Sequence, residues 1–270
     1  MAKWYSITNK GGGIADIKIY GEITDLKFWD DDVTPTEFQE ELDALGDLEQ
    51  LNVFINSPGG SVFAGFTIYN ILKRNSAKVM TQVDGLAASI ASVIFEAGDE
   101  RVMATNGMLM IHNPMVGIFG YAEDLRKYAD LLDKISGPIR GSYTNRTKVS
   151  DDEVRKMMDA ETWMTAEEAV EMGFADSVDA DQFAAAAVDD SNLVVNGMSF
   201  AMANFRNFQA SKFVLAPQTS QLQNRKPAAP KDVAPADPKE PPATDDISDP
   251  VDYSEYEAAV QETEAALEQA

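Results

Sequence analysis

The chain has 270 residues, 44% of them hydrophobic, enough for one good-sized core or two small ones. It contains no cysteine and a single histidine, His112, which excludes disulfides, thiol nucleophiles and metal sites built from thiolates or several imidazoles. A formal net charge of -23, from 22 basic and 45 acidic residues, argues against nucleic acid or an anionic membrane surface as a primary partner.

The opening residues, MAKWYSITNK, have no long apolar core, and no later run approaches the ~20 apolar residues of a membrane span. The expectation is a soluble, cytoplasmic protein, and the absence of cysteine fits a reducing compartment. IADIKIYGEI places Ile17, Ile19 and Ile23 on one face, opposite Asp16, Lys18 and Glu22, which is the pattern of a half-buried strand. TPTEFQEELDALG reads as a helix with Thr34 as N-cap, Pro35 in its first turn, Glu37 closing a capping box and Gly46 as the stop. LNVFIN is a buried strand, VFAGFTIYNILKRN a helix and AKVMTQVDG a further strand. DGLAASIASVIFEAGD then starts the next helix, and RVMATNGMLMIHNP reads as a strand pair. Leu125, Tyr128, Leu132, Ile135 and Ile139 recur at spacings of three and four, marking a long amphipathic helix with a weak point at Gly137 and Pro138. Two shorter helices open with capping boxes, Ser150 with Glu153 and Thr165 with Glu168, and Gly173 ends the second.

The composition shifts near residue 180. Residues 1–180 form the globular domain, and 181–216 a mixed connecting segment with Phe200, Phe205, Phe208 and Phe213. Residues 217–250 hold eight of the twelve prolines and cannot bury enough apolar surface to offset chain entropy, so they read as a disordered linker. Residues 251–270 are acidic and rich in helix formers, a candidate helical tail.

Strands alternating with helices predict an α/β fold with a mainly parallel sheet, in which sites form beyond the carboxyl ends of the strands. Three unusual stretches fall at such ends: SPGGS after LNVFIN, GLAAS after AKVMTQVD, and HNP after MLMI. Gly59 and Gly60 suit either an oxyanion cradle or a plain tight turn. Ser89 is either a nucleophile at a helix start or a small residue at a crowded junction, and GLAAS is not the G-x-S-x-G elbow. Ser92, a turn deeper into the helix, is the weaker candidate. His112 is the one imidazole available as a base, although a lone histidine at a strand end serves equally as a structural group. Asp159 and Glu161, beside Trp163, are candidates for a third group that orients the imidazole, and spacing does not choose between them.

INSPGGSVFAGFTIYNIL, DGLAASIAS, MIHNP and ETWMTAEEAVEMGFAD, in that order, resemble the Clp-type serine peptidases (the ClpP-like family), and most of all its phage branch of head-maturation or prohead proteases. The similarity spans about residues 14 to 180. The resemblance implies a ClpP/crotonase-like spiral of βαβ units, with the helix over residues 121–148 as a handle that joins subunits into rings. It implies Ser89 as nucleophile, His112 as general base, the Gly60 and Ile90 amides as oxyanion donors, and Gly59 as the residue shaping the turn. Cellular members carry Asp five residues before the alanine that opens the following helix; here that position, counted back from Ala166, is Glu161, with Asp159 in reserve. The family needs no metal and no organic cofactor. Its cellular members rely on an ATPase partner, for which no ATP-binding motif is evident in this chain.

The function this implies is a serine endopeptidase that cleaves capsid or scaffold proteins during phage head maturation, in the host cytoplasm or inside procapsids. Two other readings fit the same residues. One is a non-catalytic capsid-assembly protein that keeps the fold for its oligomer contacts, and the other a crotonase-type acyl-CoA enzyme.

Overall fold

The computed structural model describes residues 3–25, 33–182, 184, 186–189 and 192–208. The linker expected over 217–250 and the helix expected over 251–270 lie outside the described residues.

Strands β1 (Tyr5–Gly11) and β2 (Ile14–Tyr20) pair antiparallel, and the expected alternation holds: Ile17 and Ile19 are fully buried while Lys18 is exposed. Each fully buried aliphatic side chain of this kind contributes about 1.5–3 kcal/mol by leaving water. Ile23 extends the buried face and bridges to Gly60. Helix α1 (Pro35–Asp43) carries both halves of its capping box, the Glu37 amide donating to the Thr34 hydroxyl and the Thr34 amide to the Glu37 carboxylate. Its cap is Ala44, and Gly46 turns the chain just beyond with φ 73°.

Strand β3 (Gln50–Ser57), helix α2 (Val62–Arg74), strand β4 (Lys78–Ala88), helix α3 (Ile90–Phe95), and strands β5 (Glu100–Ala104) and β6 (Met108–Ile111) follow. β2, β3, β4 and β5 pair in parallel, and β8 (Ser177–Asp179) adds to the β5 edge, so the mainly parallel α/β sheet is as expected.

Residues 84–88 depart from expectation, since β4 continues to Ala88 where a helix start was read. Past Val83 the strand leaves β5, and Leu86, Ala87 and Ala88 pair with Met108, Leu109 and Met110 of β6. Successive side chains of an extended chain point to opposite faces. Leu86 and Ala88 thus enter one apolar cluster and Ala87 the other, and burial on both sides overrides alanine's helical preference. β5 and β6 are both strands but pair with β4 instead of with each other. A short strand unseen in the sequence, β7 (Thr162–Thr165), pairs antiparallel with β6.

Helix α4 (Ala122–Thr144) runs unbroken through Pro138. Its buried residues, Ile139, Ser142 and Tyr143, all lie in the last two turns, while Leu125, Tyr128 and Leu131 are exposed, so most of the helix stands clear of the core. Helix α5 (Asp151–Asp159) is capped by Ser150, and α6 (Ala166–Met172) has its full capping box and ends at Gly173 with φ 84°.

The stretch read as a mixed connection contains three strands, β9 (Ala186–Asp189), β10 (Asn192–Val195) and β11 (Met198–Ala201), which form an antiparallel meander. Leu193, Val195 and Phe200 pack with Leu86, Met108, Met110 and Trp163. Two buried asparagines fasten it. Asn106 bonds both the amide and the carbonyl of Ala184, and Asn56 bonds the Val195 carbonyl and the Leu86 amide. On the other side of the sheet, buried Arg101 joins Glu96, at the end of α3, to Asp176.

Candidate active site

Ser89 occupies the single residue between β4 and α3, where the chain reverses from strand to helix with φ 57° and ψ -130°. A positive φ costs a non-glycine residue about 1–3 kcal/mol and persists where its surroundings enforce it. Here the Ser89 amide donates to the Met110 carbonyl at 2.9 Å, and the Ser89 carbonyl accepts from the Ser92 hydroxyl. Ser92 is fully buried and bonds the Tyr143 hydroxyl of α4 at 2.8 Å, so it braces the turn. The geometry is that of a nucleophile elbow built without the G-x-S-x-G pattern, because the neighbour that must be small comes from another loop. A Cβ on Gly59, itself at φ 96°, would lie 2.6 Å from Ser89 Cβ and 2.8 Å from the Ala88 carbonyl oxygen.

His112 follows the last residue of β6, the strand beside β4, and its Nε2 lies 2.8 Å from Ser89 Oγ. Burial lowers the His112 pKa below the usual histidine value; the Glu161 carboxylate pulls it back up and the Arg206 guanidinium lowers it further. The net shift favours the neutral imidazole, the form that can accept a proton from a hydroxyl.

The two acidic candidates separate clearly. Asp159 is exposed and accepts from the Asn113 side chain at 2.7 Å. Glu161, 4% exposed and at φ 52°, faces His112 Nδ1 with its Oε2 at 4.0 Å, an electrostatic contact longer than a hydrogen bond. Three further donors surround this carboxylate: the Arg206 amide on Oε2 at 2.9 Å, the Asn207 amide on Oε1 at 2.8 Å, and Trp163 Nε1 on Oε1 at 3.3 Å.

Glu22, Gly59, Gly60, Ser89, His112, Met115 and Phe205 are among the residues lining a cleft of about 350 Å³. Gly60 is required by close approach, since a Cβ there would meet the Ile23 carbonyl oxygen at 2.1 Å. The adjacent amides already have partners, Gly59 donating to Ser57 Oγ and Ser61 to the Ile23 carbonyl. Ile90 is the first residue of α3, where an amide has no carbonyl one turn back to bond, and it borders a smaller hollow shared with Ser89 and His112.

Ser89, His112, Glu161, Gly59, Gly60 and Ile90 thus gather at one end of the sheet, while Asp159 turns to Asn113. Sequence reasoning missed Phe205, Arg206 and Asn207. The phenylalanines at 200, 205 and 208 were a signal that this stretch packs against something, but no periodicity pointed to the site. Among the described residues no group of His, Asp or Glu side chains could hold a metal ion, and no helix is long and apolar enough to cross a membrane.

A hydroxyl bonded to an imidazole, with a buried carboxylate behind it and glycine-lined space in front, is the arrangement that serine-type peptidase chemistry requires. A family model described as Clp protease matches residues 31–182. The chain is 37% identical over 153 residues to the ATP-dependent Clp protease proteolytic subunit of Bacteroides fragilis, covering 55% of this chain and 74% of that protein. It is 37% identical over 161 residues to proteolytic subunit 1 of Chlamydia abortus, covering 56% and 84%, and 33% identical over 153 residues to the subunit of Porphyromonas gingivalis, covering 55% and 69%. The chain belongs to the Clp protease family.

Proposed function

We propose that the chain is a serine endopeptidase in which His112 Nε2 takes the Ser89 proton as Oγ attacks a peptide carbonyl. The Gly60 and Ile90 amides receive the oxyanion, and Glu161 orients the imidazole and stabilises its charged form. The tetrahedral species collapses when His112 protonates the leaving amine, and water, deprotonated in turn by His112, releases the acyl group from Ser89. The observation that carries this reading is the 2.8 Å contact between Ser89 Oγ and His112 Nε2 at an elbow with strained backbone. The 4.0 Å separation of His112 and Glu161 shortens when substrate charges the imidazole, as catalytic contacts commonly do on forming the reactive complex.

The substrates we assign are capsid or scaffold proteins of an assembling phage head, and the chain acts in the host cytoplasm or within procapsids. Support comes from the resemblance of its four motifs to head-maturation proteases. Self-association into rings is supported by the projecting α4, whose Leu125, Tyr128 and Leu131 are exposed together with the nearby Phe119 and Tyr121. Residues 181–270 serve as a scaffold-like or delivery segment whose tail the enzyme itself trims, a reading supported by a proline-rich stretch ahead of an acidic end and by Phe205 lining the same cleft as Ser89.

The substrate assignment is tested by incubating wild type and Ser89→Ala with purified capsid and scaffold precursors and sizing the products by mass spectrometry. Defined cleavage by wild type alone is the expected result. Turnover of small peptides with both precursors left intact would overturn the capsid reading while keeping the peptidase.

A further inference from the structure

Glu161 has one more rotatable bond than an aspartate at the same position, so its carboxylate has more ways to turn from His112. Its backbone, at φ 52°, does not by itself fix where the carboxylate points. The orientation is imposed from outside. Consecutive amides, Arg206 on Oε2 and Asn207 on Oε1, grip the two oxygens from one side, and Oε2 is also the atom that faces His112 Nδ1. Amides aimed at an ionised carboxylate form charge-assisted bonds, and two in parallel define the plane of the group as well as its place.

The segment that supplies these amides is anchored on both sides. Upstream, a 3-10 turn (Met202–Asn204) leads from β11, and the Phe205 amide bonds the Met202 carbonyl. Phe205 and Phe208 both meet the Trp163 ring edge-on, with centroids 5.0 and 5.4 Å away, and Trp163 Nε1 reaches Glu161 Oε1. The family match ends at residue 182, and the meander with its strap follows that point in the chain.

We propose that residues 205–207 are a positioning strap for the reaction: the Arg206 and Asn207 amides hold the Glu161 carboxylate toward His112, so the reactivity of Ser89 depends on a segment beyond the family-matched domain. This rests on the serine-peptidase reading above. The Arg206 and Asn207 amides act through Glu161 and touch neither the nucleophile nor the base, while the Arg206 guanidinium acts on His112 separately, through its charge.

The test removes each amide by proline substitution in the full chain, as Arg206→Pro and Asn207→Pro, alone and combined with Glu161→Ala. Phe205, at φ -120° and ψ 137°, already has the extended backbone that a following proline requires. The readout is the second-order rate of Ser89 labelling by a fluorophosphonate, with Trp163 emission reporting whether the strap stays docked. Each proline variant is expected to label at least about tenfold more slowly than wild type, the scale seen when the outer partners of ligating groups are removed at metal centres. Arg206→Ala, which keeps the amide, is expected to lose much less.

In the Glu161→Ala background the proline substitutions should change nothing further, because residues acting through one group are not additive. Wild-type labelling rates in both proline variants would overturn the proposal, whether or not the strap stays docked. An equal loss with and without Glu161 would also overturn it, assigning the strap a role as cleft wall. Wild-type protein that fails to label at all would instead sink the serine-peptidase reading and the proposal with it.

Discussion

Ser89 Oγ and His112 Nε2 stand 2.8 Å apart although 23 residues separate them in the chain. The contact exists because β4 and β6 pair in parallel through Ala88 and Met110, ending side by side, and because the Ser89 amide bonds the Met110 carbonyl. A parallel pair delivers its two carboxyl ends to the same edge of the sheet, so the residues just beyond them meet.

The first prediction concerns pH. A general base works in its neutral form, so activity falls as pH drops through the His112 pKa and is full above it. Burial, with Arg206 nearby, holds that pKa below the usual 6.5 against the opposing pull of Glu161. The acid limb of the kcat/KM profile should therefore lie below 6.5, and Glu161→Gln, which removes the opposing charge, should move it lower still. A limb above 6.5 would contradict this account of the electrostatics.

Gly59→Ala should disable the site. Its methyl group would lie 2.6 Å from Ser89 Cβ and 3.2 Å from the Ile90 nitrogen, at a φ that alanine adopts only under strain. Displacing an oxyanion donor alone costs about 10²–10³ in kcat, and this change disturbs the nucleophile as well. Peptide hydrolysis by Gly59→Ala should fall at least that far, and retention of a tenth of the wild-type rate would contradict the packing argument.

Arg101→Met tests the buried charges. Burial pushes the Glu96 carboxyl up to about 8, and Arg101 is the main group pulling it down. Breaking a buried pair by removing one partner costs about 3–5 kcal/mol when the other must stay charged. A carboxyl with a raised folded pKa stabilises most below its unfolded value and loses that stabilisation as pH rises through the folded value. Stability from this group should thus decline between pH 4.5 and about 8 in wild type, and the decline should extend to higher pH in Arg101→Met. Urea denaturation at pH 5, 7 and 9 reads this directly, and a cost independent of pH would count against it.

Self-trimming is checked by intact-mass spectra after long incubation. Wild type should lose mass by cleavage after residue 208, while Ser89→Ala keeps the full 270 residues. Equal, full-length masses in both would remove the trimming assignment.

Much of the fold was legible because its cues are local. The capping residues Thr34 and Thr165 and the alternation of Ile17 and Ile19 act within a few positions, and the structure keeps them. The elements that escaped depend on distant partners. Leu86–Ala88 are strand because β6 and the meander cover both their faces, and β7 exists because it pairs with β6. At the site, Ser89, His112 and the two glycines were marked by their positions at strand ends. The preference for Glu161 over Asp159 came from motif resemblance, and the contacts that hold the Glu161 carboxylate come from Trp163, Arg206 and Asn207. Two of those partners lie 45 and 46 residues away, beyond the reach of any spacing rule.

Whether Ser89 is a nucleophile activated by His112 can be read from intact-mass analysis after fluorophosphonate treatment of wild type, Ser89→Ala and His112→Ala. One adduct on wild type, mapped to Ser89, and none on either variant in the same time is the expected result. Folded, assembled wild-type protein that takes up no adduct, or His112→Ala that labels as fast as wild type, would contradict it.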